Sequence, residues 1–362
     1  MKTLHPLAIS AASFFAASTP NAQLSIDWVV VANAGNPADP TTNFGAVAYD
    51  YRIAATEVTN AQYASFLNAV AASDPNNLYS PNMNNEVTGG ITRSGSSGNF
   101  SYTVKPNMAN KPVNYVSWFD AARFCNWLTN GQGSASTETG VYTFTGTNSI
   151  SSINRDLSNP RQVFIPTENE WYKAAYHQPS SQGGDNDNYW LYATQSNAAP
   201  TIATATNTGD IANPGPGVAN YARGADWNGE NGNVTTVASA NNTSFYGAFD
   251  MNGNVNEWNE ALIEGSERGY RGGNWEEGLN RLRATSRDED VPRTQDEELG
   301  FRVATPDCPA DFNRDGNLNP ADLTAFVNAI NARDPLADID GVIGVDFLDL
   351  LAFLNALDAG CN

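Results

Sequence analysis

Apolar residues recur at helical spacing in three segments of the chain. The first, TNAQYASFLNAVAA, begins at Thr59, can be capped by Asn60, and carries one apolar stripe formed by Tyr63, Phe66, Leu67 and Val70. The second, SWFDAARFCNWLTNG, is closed by Gly131 as a C-terminal cap. In the third, TENEWYKAAYH, Thr167 and Glu170 have the spacing of a capping box. The pattern therefore predicts three amphipathic helices.

Long stretches rich in Asn, Ser, Gly and Thr lie between these helices, for example residues 85–104 and 178–216. This composition interrupts both helical and strand patterns, so we predict loops there. Tryptophans and tyrosines nevertheless recur in the same part of the chain. We therefore expect a compact, irregular domain that folds around an aromatic core.

The composition changes at ATPDCPADFN, residues 304–313, and we place a domain boundary at about residue 306. Beyond it, ADLTAFVNAIN (321–331) recurs as LDLLAFLNALD (348–358), 27 residues later. Each copy carries an apolar stripe at helical spacing, formed by Leu323, Phe326, Val327 and Ile330 in the first and by Leu350, Phe353, Leu354 and Leu357 in the second. The tail is therefore predicted to hold two short helices that pack on each other.

The first tail helix follows DFNRDGNLNPAD, residues 311–322, which has the spacing of a twelve-residue calcium loop. Gly316 stands where the chain must turn sharply, and the expected oxygen ligands are Asp311, Asn313, Asp315, Asn317, Asn319 and Asp322. An acidic turn with this spacing by chance is the alternative. The corresponding residues 338–349, DIDGVIGVDFLD, keep Asp338, Asp340, Asp346 and Asp349. Val342 and Ile343 replace a ligand and the turn glycine, so we expect this degenerate loop to bind calcium weakly or not at all.

The formal net charge of −20 argues against nucleic acid as a partner, because phosphates require a basic protein face. The acidity suits an exported calcium-binding protein, although it can also simply keep the surface soluble. A mostly apolar run over residues 7–17 follows Lys2 and precedes the small residue Ala22, so residues 1–22 have the pattern of a signal peptide. The signal peptide predicts a secreted or cell-surface location. No later stretch reaches 18 apolar residues, so we predict no membrane span.

The chain has 3 cysteines and 2 histidines. Cys308 and Cys361 bracket the tail, and we predict that they form a disulfide after export. Cys125 lies on the apolar side of a predicted helix and is expected to be a buried free thiol. His177 is the one histidine left once the signal peptide is removed, which excludes a histidine metal cluster. A Ser-His-Asp triad would have to be built around it, and a place at the end of a helix is the favoured alternative.

Six segments of the large part occur in an order that resembles the sulfatase-modifying factor family, the family of the formylglycine-generating enzyme. They are ATEVTNAQYASFLNA (55–69), NKPVNYVSWFDAARFCNWL (110–128), IPTENEWYKAAY (165–176), YGAFDMNGNVNEWNEAL (246–262), RGGNW (271–275), and RLRATSR with LGFRVA (281–287 and 299–304). The resemblance covers about residues 26–305 and implies an irregular, loop-rich α+β fold related to C-type lectins. The implied organisation is this domain over residues 23–305 and the tail over residues 306–362.

Members of that family carry calcium near the stretch that reads DMNGNVNEW here. The resemblance implies side-chain ligands from Asp250 and Glu257 and carbonyl ligands from Gly253 and Val255. A companion site in the family would begin at Asn220 and continue at Asn231 or Asn233. The alternative is that the polar side chains of this stretch only satisfy turns.

The enzymes of the family bind copper through two cysteines between the motif tryptophan and the arginines, and they oxidise a substrate cysteine to formylglycine. Here EEGLN alone separates Trp275 from Arg281, so the soft ligands are missing and no copper is expected. What remains is a candidate pocket. A carboxylate or sulfate could be held by Arg281, Arg283, Arg287 and Arg302, with Trp275 against a sugar or a peptide side chain. The alternative is that these arginines pair with nearby acids and hold the fold.

The tail resembles a dockerin over about residues 308–361, an all-α pair of EF-hand type with Asp at position 12 of each loop. That resemblance implies calcium-dependent docking into a cohesin-like or other cell-surface protein. The sequence therefore favours a non-catalytic binding or scaffolding protein with a peptide or carbohydrate ligand. The competing hypothesis is a protein- or carbohydrate-modifying enzyme, an oxidoreductase of the formylglycine-generating type that uses residues we do not recognise.

Overall fold

The computed structural model describes residues 24–313, 318–334, 337–339 and 344–359. The signal peptide predicted for residues 1–22 lies outside these ranges. The helices in the described ranges are α1 (Asn60–Val70), α2 (Asn82–Asn85), α3 (Trp118–Thr129), α4 (Glu168–Tyr176), α5 (Pro320–Ala332) and α6 (Phe347–Ala359). The strands there are short: β1 (Trp28–Val31), β2 (Tyr51–Ala54), β3 (Ile91–Ser94), β4 (Ser101–Val104), β5 (Tyr142–Gly146), β6 (Ser149–Ile153), β7 (Thr201–Ile202), β8 (Val218–Ala219), β9 (Asn256–Ile263), β10 (Glu267–Arg271), β11 (Asp288–Asp290), β12 (Leu299–Gly300) and β13 (Ala304–Pro306).

The three helices predicted for the large domain are confirmed. Each has a local signal at its start or its end. Thr167 and Glu170 form the predicted capping box of α4, and Gly131 follows α3 with φ +83°. The start of α1 differs by one residue. Thr59, not Asn60, is the cap and forms a capping box with Gln62. Asn60 is instead the first residue of the helix, and its side-chain amide donates to backbone carbonyls of the 108–112 segment.

Two sheets organise the large domain. One has the strand order β1-β2-β13, and the other has the order β11-β10-β9-β12, with β9 and β12 parallel. In the second sheet β9 lies between β10 and β12, and Glu257 near its start faces Gly300 of β12 in the register. This arrangement brings Arg302, two residues beyond β12, close to Glu257.

The loop predicted over residues 85–104 is wrong in part, because β3 and β4 form an antiparallel hairpin there. The hairpin is held to α1 by Asn68, whose side chain donates to the Tyr102 carbonyl at 2.8 Å and accepts from the Tyr102 amide at 2.9 Å. Tyr102 itself is buried. The polar composition of this segment gave no indication of strands, because the hairpin is stabilised by its contact with α1.

The predicted aromatic core is confirmed. Its centre is a group of rings with centroids 5.3–6.4 Å apart, contributed by α1, α3 and the chain after β12: Tyr63, Phe66, Phe124, Trp127 and Phe301. Tilted and edge-to-face pairs of this kind add packing energy beyond the buried area. The irregular segments are thus fastened to a shared set of large side chains.

The tail helices occur where the repeat predicts them. Phe326 of α5 stacks on Phe353 of α6 with ring centroids 4.2 Å apart, and both are fully buried. Other stripe positions are less covered, with Leu323, Val327 and Leu354 exposed by 36–43%. None of the described helices is long and apolar enough to cross a membrane.

Candidate functional site

The RGGNW segment turns sharply after β10. Gly272 and Gly273 have φ of +104° and +72°, a conformation that favours glycine. A Cβ on Gly273 would lie 2.9 Å from Leu282 Cδ1, so a larger residue would also clash. The turn delivers Trp275 into a small cluster with Met108, Trp227, Val234 and Val255. Trp275 is 5% exposed, so its ring faces are largely used for packing rather than for stacking a ligand.

Arg302 forms a buried ion pair rather than an open anion site. Its Nε and Nη2 donate to the two carboxylate oxygens of Glu257 at 2.5 and 2.6 Å. Its remaining donors reach the Ala54 and Phe249 carbonyls at 3.0 and 2.8 Å. Trp171 Nε1 also donates to Glu257 at 2.7 Å. Glu257 and Arg302 therefore join β9, β2 and the chain after β12.

The other candidate arginines also have protein partners. Arg287 donates to both oxygens of Glu168 at 2.8 Å, and Arg281 lies 2.5 Å from Asp288 and 3.3 Å from Glu277. Arg283 donates to the Tyr192 hydroxyl at 3.2 Å. These contacts favour the structural alternative for the arginine ladder over the carboxylate or sulfate site.

The candidate calcium residues of the large domain are brought together around Asn254. Asn220 forms a β-bridge to Gly253, and the Asn220 carbonyl accepts the Asn254 amide at 2.8 Å. Asp250 accepts the Ala238 amide at 2.6 Å, and burial raises its pKa to about 6. Val255 is fully buried beside this segment. Backbone carbonyls and carboxylates therefore lie close together in this segment.

Sequence reasoning missed Glu57, which lies in the same buried network. Its Oε1 accepts from Asn254 at 3.1 Å, whereas its Oε2 has no hydrogen-bond partner. Burial, and then the negative charge of Asp250, hold the pKa of Glu57 well above its ordinary value. The sequence signal that could have identified this residue is the acidic Glu57 in ATEVTN, next to the apolar Val58 and just before the helix cap Thr59.

Parts of this network suit a hard cation, although both carboxylate oxygens of Glu257 are already engaged by Arg302 and Trp171. Glu57, Asp250 and Glu257 are three carboxylates that influence one another, and Arg302 is the basic group near them. Two buried acceptors, Glu57 Oε2 and Asn220 Oδ1, lack donors. No set of three or more His, Cys, Asp or Glu in the described ranges is arranged to enclose a metal. A calcium ion here would therefore need amide and backbone oxygens as well, which calcium accepts readily.

Asn231 and Asn233 are the two candidates for the second ligand of the companion calcium site that begins at Asn220. Asn233 is fully buried and its carbonyl accepts from Asn220 Nδ2 at 2.9 Å. Asn231 is exposed and borders a different pocket. Of the two, Asn233 is the one placed beside Asn220.

The cysteines and the histidine have structural surroundings. Cys125 is a fully buried free thiol, and burial raises its pKa well above the ordinary value. His177 follows α4, as expected, and its Nδ1 lies 2.6 Å from the Tyr246 hydroxyl. Burial lowers the pKa of His177 to about 4. Cys308 is disulfide-bonded. Its expected partner, Cys361, lies outside the described residues, so that pairing stays a prediction.

The tail loops are described in part. The residues that lie outside the described ranges are Asp315, Gly316 and Asn317 of the first loop and Asp340, Val342 and Ile343 of the second. The two closing aspartates have matching geometry. Asp322 accepts the Asn313 and Asn319 amides at 3.2 and 2.9 Å, and Asp349 accepts the Ile339 and Asp346 amides at 2.7 Å each.

The opening residue of the first loop contacts the large domain. Asp311 is 2% exposed and lies 3.4 Å from Arg52 of β2. Asp338 has one buried oxygen without a partner. The first loop therefore begins against the large domain, and both loops are closed by a fully buried aspartate.

Residues 19–306 match the protein family described as the sulfatase-modifying factor enzyme 1-like domain. Three solved structures are similar. Treponema denticola variable protein 1 is 18% identical, with 77% of this chain and 95% of that one covered at a TM-score of 0.44. CarF is 22% identical, with 78% and 99% covered at 0.47. PvdO from Pseudomonas aeruginosa is 17% identical, with 73% and 82% covered at 0.39. At these scores the likeness carries no functional argument. No curated protein matches.

Proposed function

The chain belongs to the sulfatase-modifying factor enzyme 1-like family, and from that premise we propose that it is an exported, non-catalytic binding module anchored through its tail. Calcium would be held by the first tail loop and by the network around Asp250. The tail would dock into a cohesin-like protein at the cell surface. The large domain would bind a ligand of its own.

The segment between Trp275 and Arg281 carries this proposal. Its residues are Glu, Glu, Gly, Leu and Asn, so it offers carboxylates where copper chemistry needs thiolates. Cys125 is sealed in the core with a raised pKa, and Cys308 is disulfide-bonded. Neither thiol is therefore available as a thiolate ligand beside Trp275.

A copper and peptide assay tests the absence of catalysis. The mature chain is incubated with a sulfatase-type cysteine peptide and added copper, and an aldehyde probe then measures formylglycine. We expect no aldehyde above a control without protein. Turnover well above that control would contradict the proposal and favour the competing hypothesis of a formylglycine-generating-type oxidoreductase.

Exposed apolar side chains on the tail support the docking role. On α6, Phe347, Leu351 and Leu354 recur at helical spacing and are exposed by 73%, 46% and 43%. Leu348 on the same helix and Leu323 and Val327 on α5 are also exposed. Several exposed apolar side chains at helical spacing on one helix suit a protein-binding face.

The docking role is tested by capture from the envelope of the source organism. The mature chain should retain the same partner in calcium and lose it in chelator. Replacing Leu351 by aspartate should abolish capture without unfolding the large domain, whereas the matched change of exposed Leu262 on β9 should not. If the unchanged chain and both variants captured the partner equally, the exposed apolar residues of α6 would not form the docking surface.

A further inference from the structure

Four Asn-Gly pairs occur in the chain, and they begin at Asn130, Asn228, Asn231 and Asn252. Glycine carries no side chain that could shield its backbone nitrogen, so an asparagine amide can approach that nitrogen closely in such a pair. Attack of the nitrogen on the amide carbon is the first step of deamidation. The four pairs share the same local sequence, so a difference in their reactivity must come from the fold.

The Asn252 pair is held on both sides of the reacting atoms. The Asn252 side-chain amide donates to the Leu282 carbonyl at 2.7 Å, and Asn252 is 4% exposed. The Gly253 N–H donates to the Gly272 carbonyl at 3.0 Å. A tethered amide cannot turn toward the next nitrogen, and an N–H that already donates must first lose its acceptor. This pair should therefore be protected.

The Asn130 pair, after α3, is restrained in the same way. Its side-chain amide donates to the carbonyls of Ser136 and Thr139 at 2.8 Å each. The Gly131 N–H donates to the Leu128 carbonyl at 3.1 Å. Asn130 itself is exposed, so water reaches it. Its protection should come from these hydrogen bonds and not from burial.

The Asn231 pair has one restraint. The Gly232 N–H donates to the Asp226 carboxylate at 2.8 Å, whereas the Asn231 side chain is exposed. A hydrogen bond to a charged acceptor is stronger than one between neutral groups. Asp226 should therefore slow the reaction at Asn231 without preventing it.

The Asn228 pair has neither kind of restraint. Asn228 and Gly229 are exposed and form the tip of a turn that is closed by the Glu230 N–H donating to the Trp227 carbonyl at 3.2 Å. Their φ angles are +58° and +85°. Within the described part of the chain, no hydrogen bond holds the Asn228 side chain or the Gly229 N–H. Exposed turn tips open locally at low cost, so the reacting atoms can meet.

We propose that Asn228 is the modification site among the four pairs, the one that deamidates first while the protein stays folded. The Gly229 nitrogen loses its proton and forms a bond to Cγ of Asn228, and the Cγ–Nδ2 bond breaks as ammonia leaves. Water then opens the cyclic imide at either carbonyl and leaves aspartate or isoaspartate. Both products add a negative charge, and isoaspartate also lengthens the backbone between Trp227 and Glu230 by one carbon. This inference is independent of the proposed binding role.

Peptide mapping of the mature chain after incubation in mildly alkaline buffer tests this. Mass spectrometry with fragmentation locates each exchange of NH2 for OH and gives its rate at all four pairs. Asn228 should react about fivefold faster than Asn231, which has one restraint, and at least about tenfold faster than Asn130 and Asn252, which have more. The same incubation in urea removes the fold, and the four rates should then become similar.

A matched pair of variants tests the physical reason. Asp226→Ala removes the acceptor of the Gly232 N–H and should raise the rate at Asn231 about fivefold, toward that of Asn228. Asp226→Asn keeps a side-chain oxygen at this position and should raise it less. Asp226 is exposed, so both variants should fold. Neither change should alter the rate at Asn130.

Three results would overturn the proposal. In the folded chain, Asn228 could react no faster than Asn130 or Asn252. The order of the four rates could persist unchanged in urea, which would assign it to the neighbouring sequence and not to the fold. The rate at Asn231 could stay the same in Asp226→Ala, which would mean that hydrogen bonding of the glycine N–H does not control the reaction.

Discussion

Replacing Arg302 by methionine should destabilise the large domain by about 4 kcal/mol. Removing one partner of a buried ion pair typically costs about 3–5 kcal/mol, because the other charge stays buried without compensation. Here Glu257 would keep one donor, Trp171, and the carbonyls of Ala54 and Phe249 would lose theirs. Glu57 and Asp250 would lose the basic group that faces them. Methionine keeps apolar volume, so the cavity left behind is small.

Differential scanning calorimetry of the calcium-free mature chain measures this effect. For a domain of this size, 1 kcal/mol corresponds to about 2–4 °C, so the expected fall in Tm is roughly 8–16 °C. Arg281→Met is the matched control, because Arg281 is 48% exposed and its pairs lie at the surface. That control should change stability by about 1 kcal/mol or less.

A loss below about 1 kcal/mol for Arg302→Met, or a loss equal to that of Arg281→Met, would refute this reasoning. The double variant with Glu257→Gln provides an internal check. Removing the buried carboxylate charge as well should recover part of the lost stability, because fewer uncompensated charges then remain. Additive losses in the double variant would mean that the pair is not coupled.

Three further predictions concern charge and calcium. Burial raises the pKa of Asp250 to about 6, above its unfolded value of about 4. The folded calcium-free protein then binds the proton more tightly than the unfolded chain, so its stability should fall as pH rises from about 4 to about 6. Asp250→Asn should flatten this pH dependence of stability in urea titrations. An unchanged slope would mean that another group causes the pH dependence. Asp250→Asn should also remove one calcium site from the calorimetric isotherm of residues 23–305, and an identical isotherm would exclude Asp250 as a ligand. The tail should bind one calcium tightly, measured by native mass spectrometry; Asp322→Ala should abolish it, and a stoichiometry of two would show that the second loop is competent.

The helices could be predicted because their signals are local. A capping box joins residues three apart, and an apolar stripe is complete within a few turns, so Thr167 with Glu170 and the α1 stripe suffice. The strands were not predictable in the same way. β7, β8 and β12 are each two residues long, and such strands exist only through pairing with distant segments. The hairpin of β3 and β4 was missed because its polar residues resemble a loop, and its contact with α1 through Asn68 is made only in the folded domain.

The sequence by itself determined the family, the three helices of the large domain, the repeated tail helices and the lack of cysteines between Trp275 and Arg281. Only the tertiary structure decided what the arginines and acids do. Arg302 and Glu257 are 45 residues apart, and Glu57 approaches Asn254 across 197 residues. The sequence offers each arginine several possible acids. Which pair forms depends on burial and on the register of β9 with β12, and both are set by the packing of the whole domain.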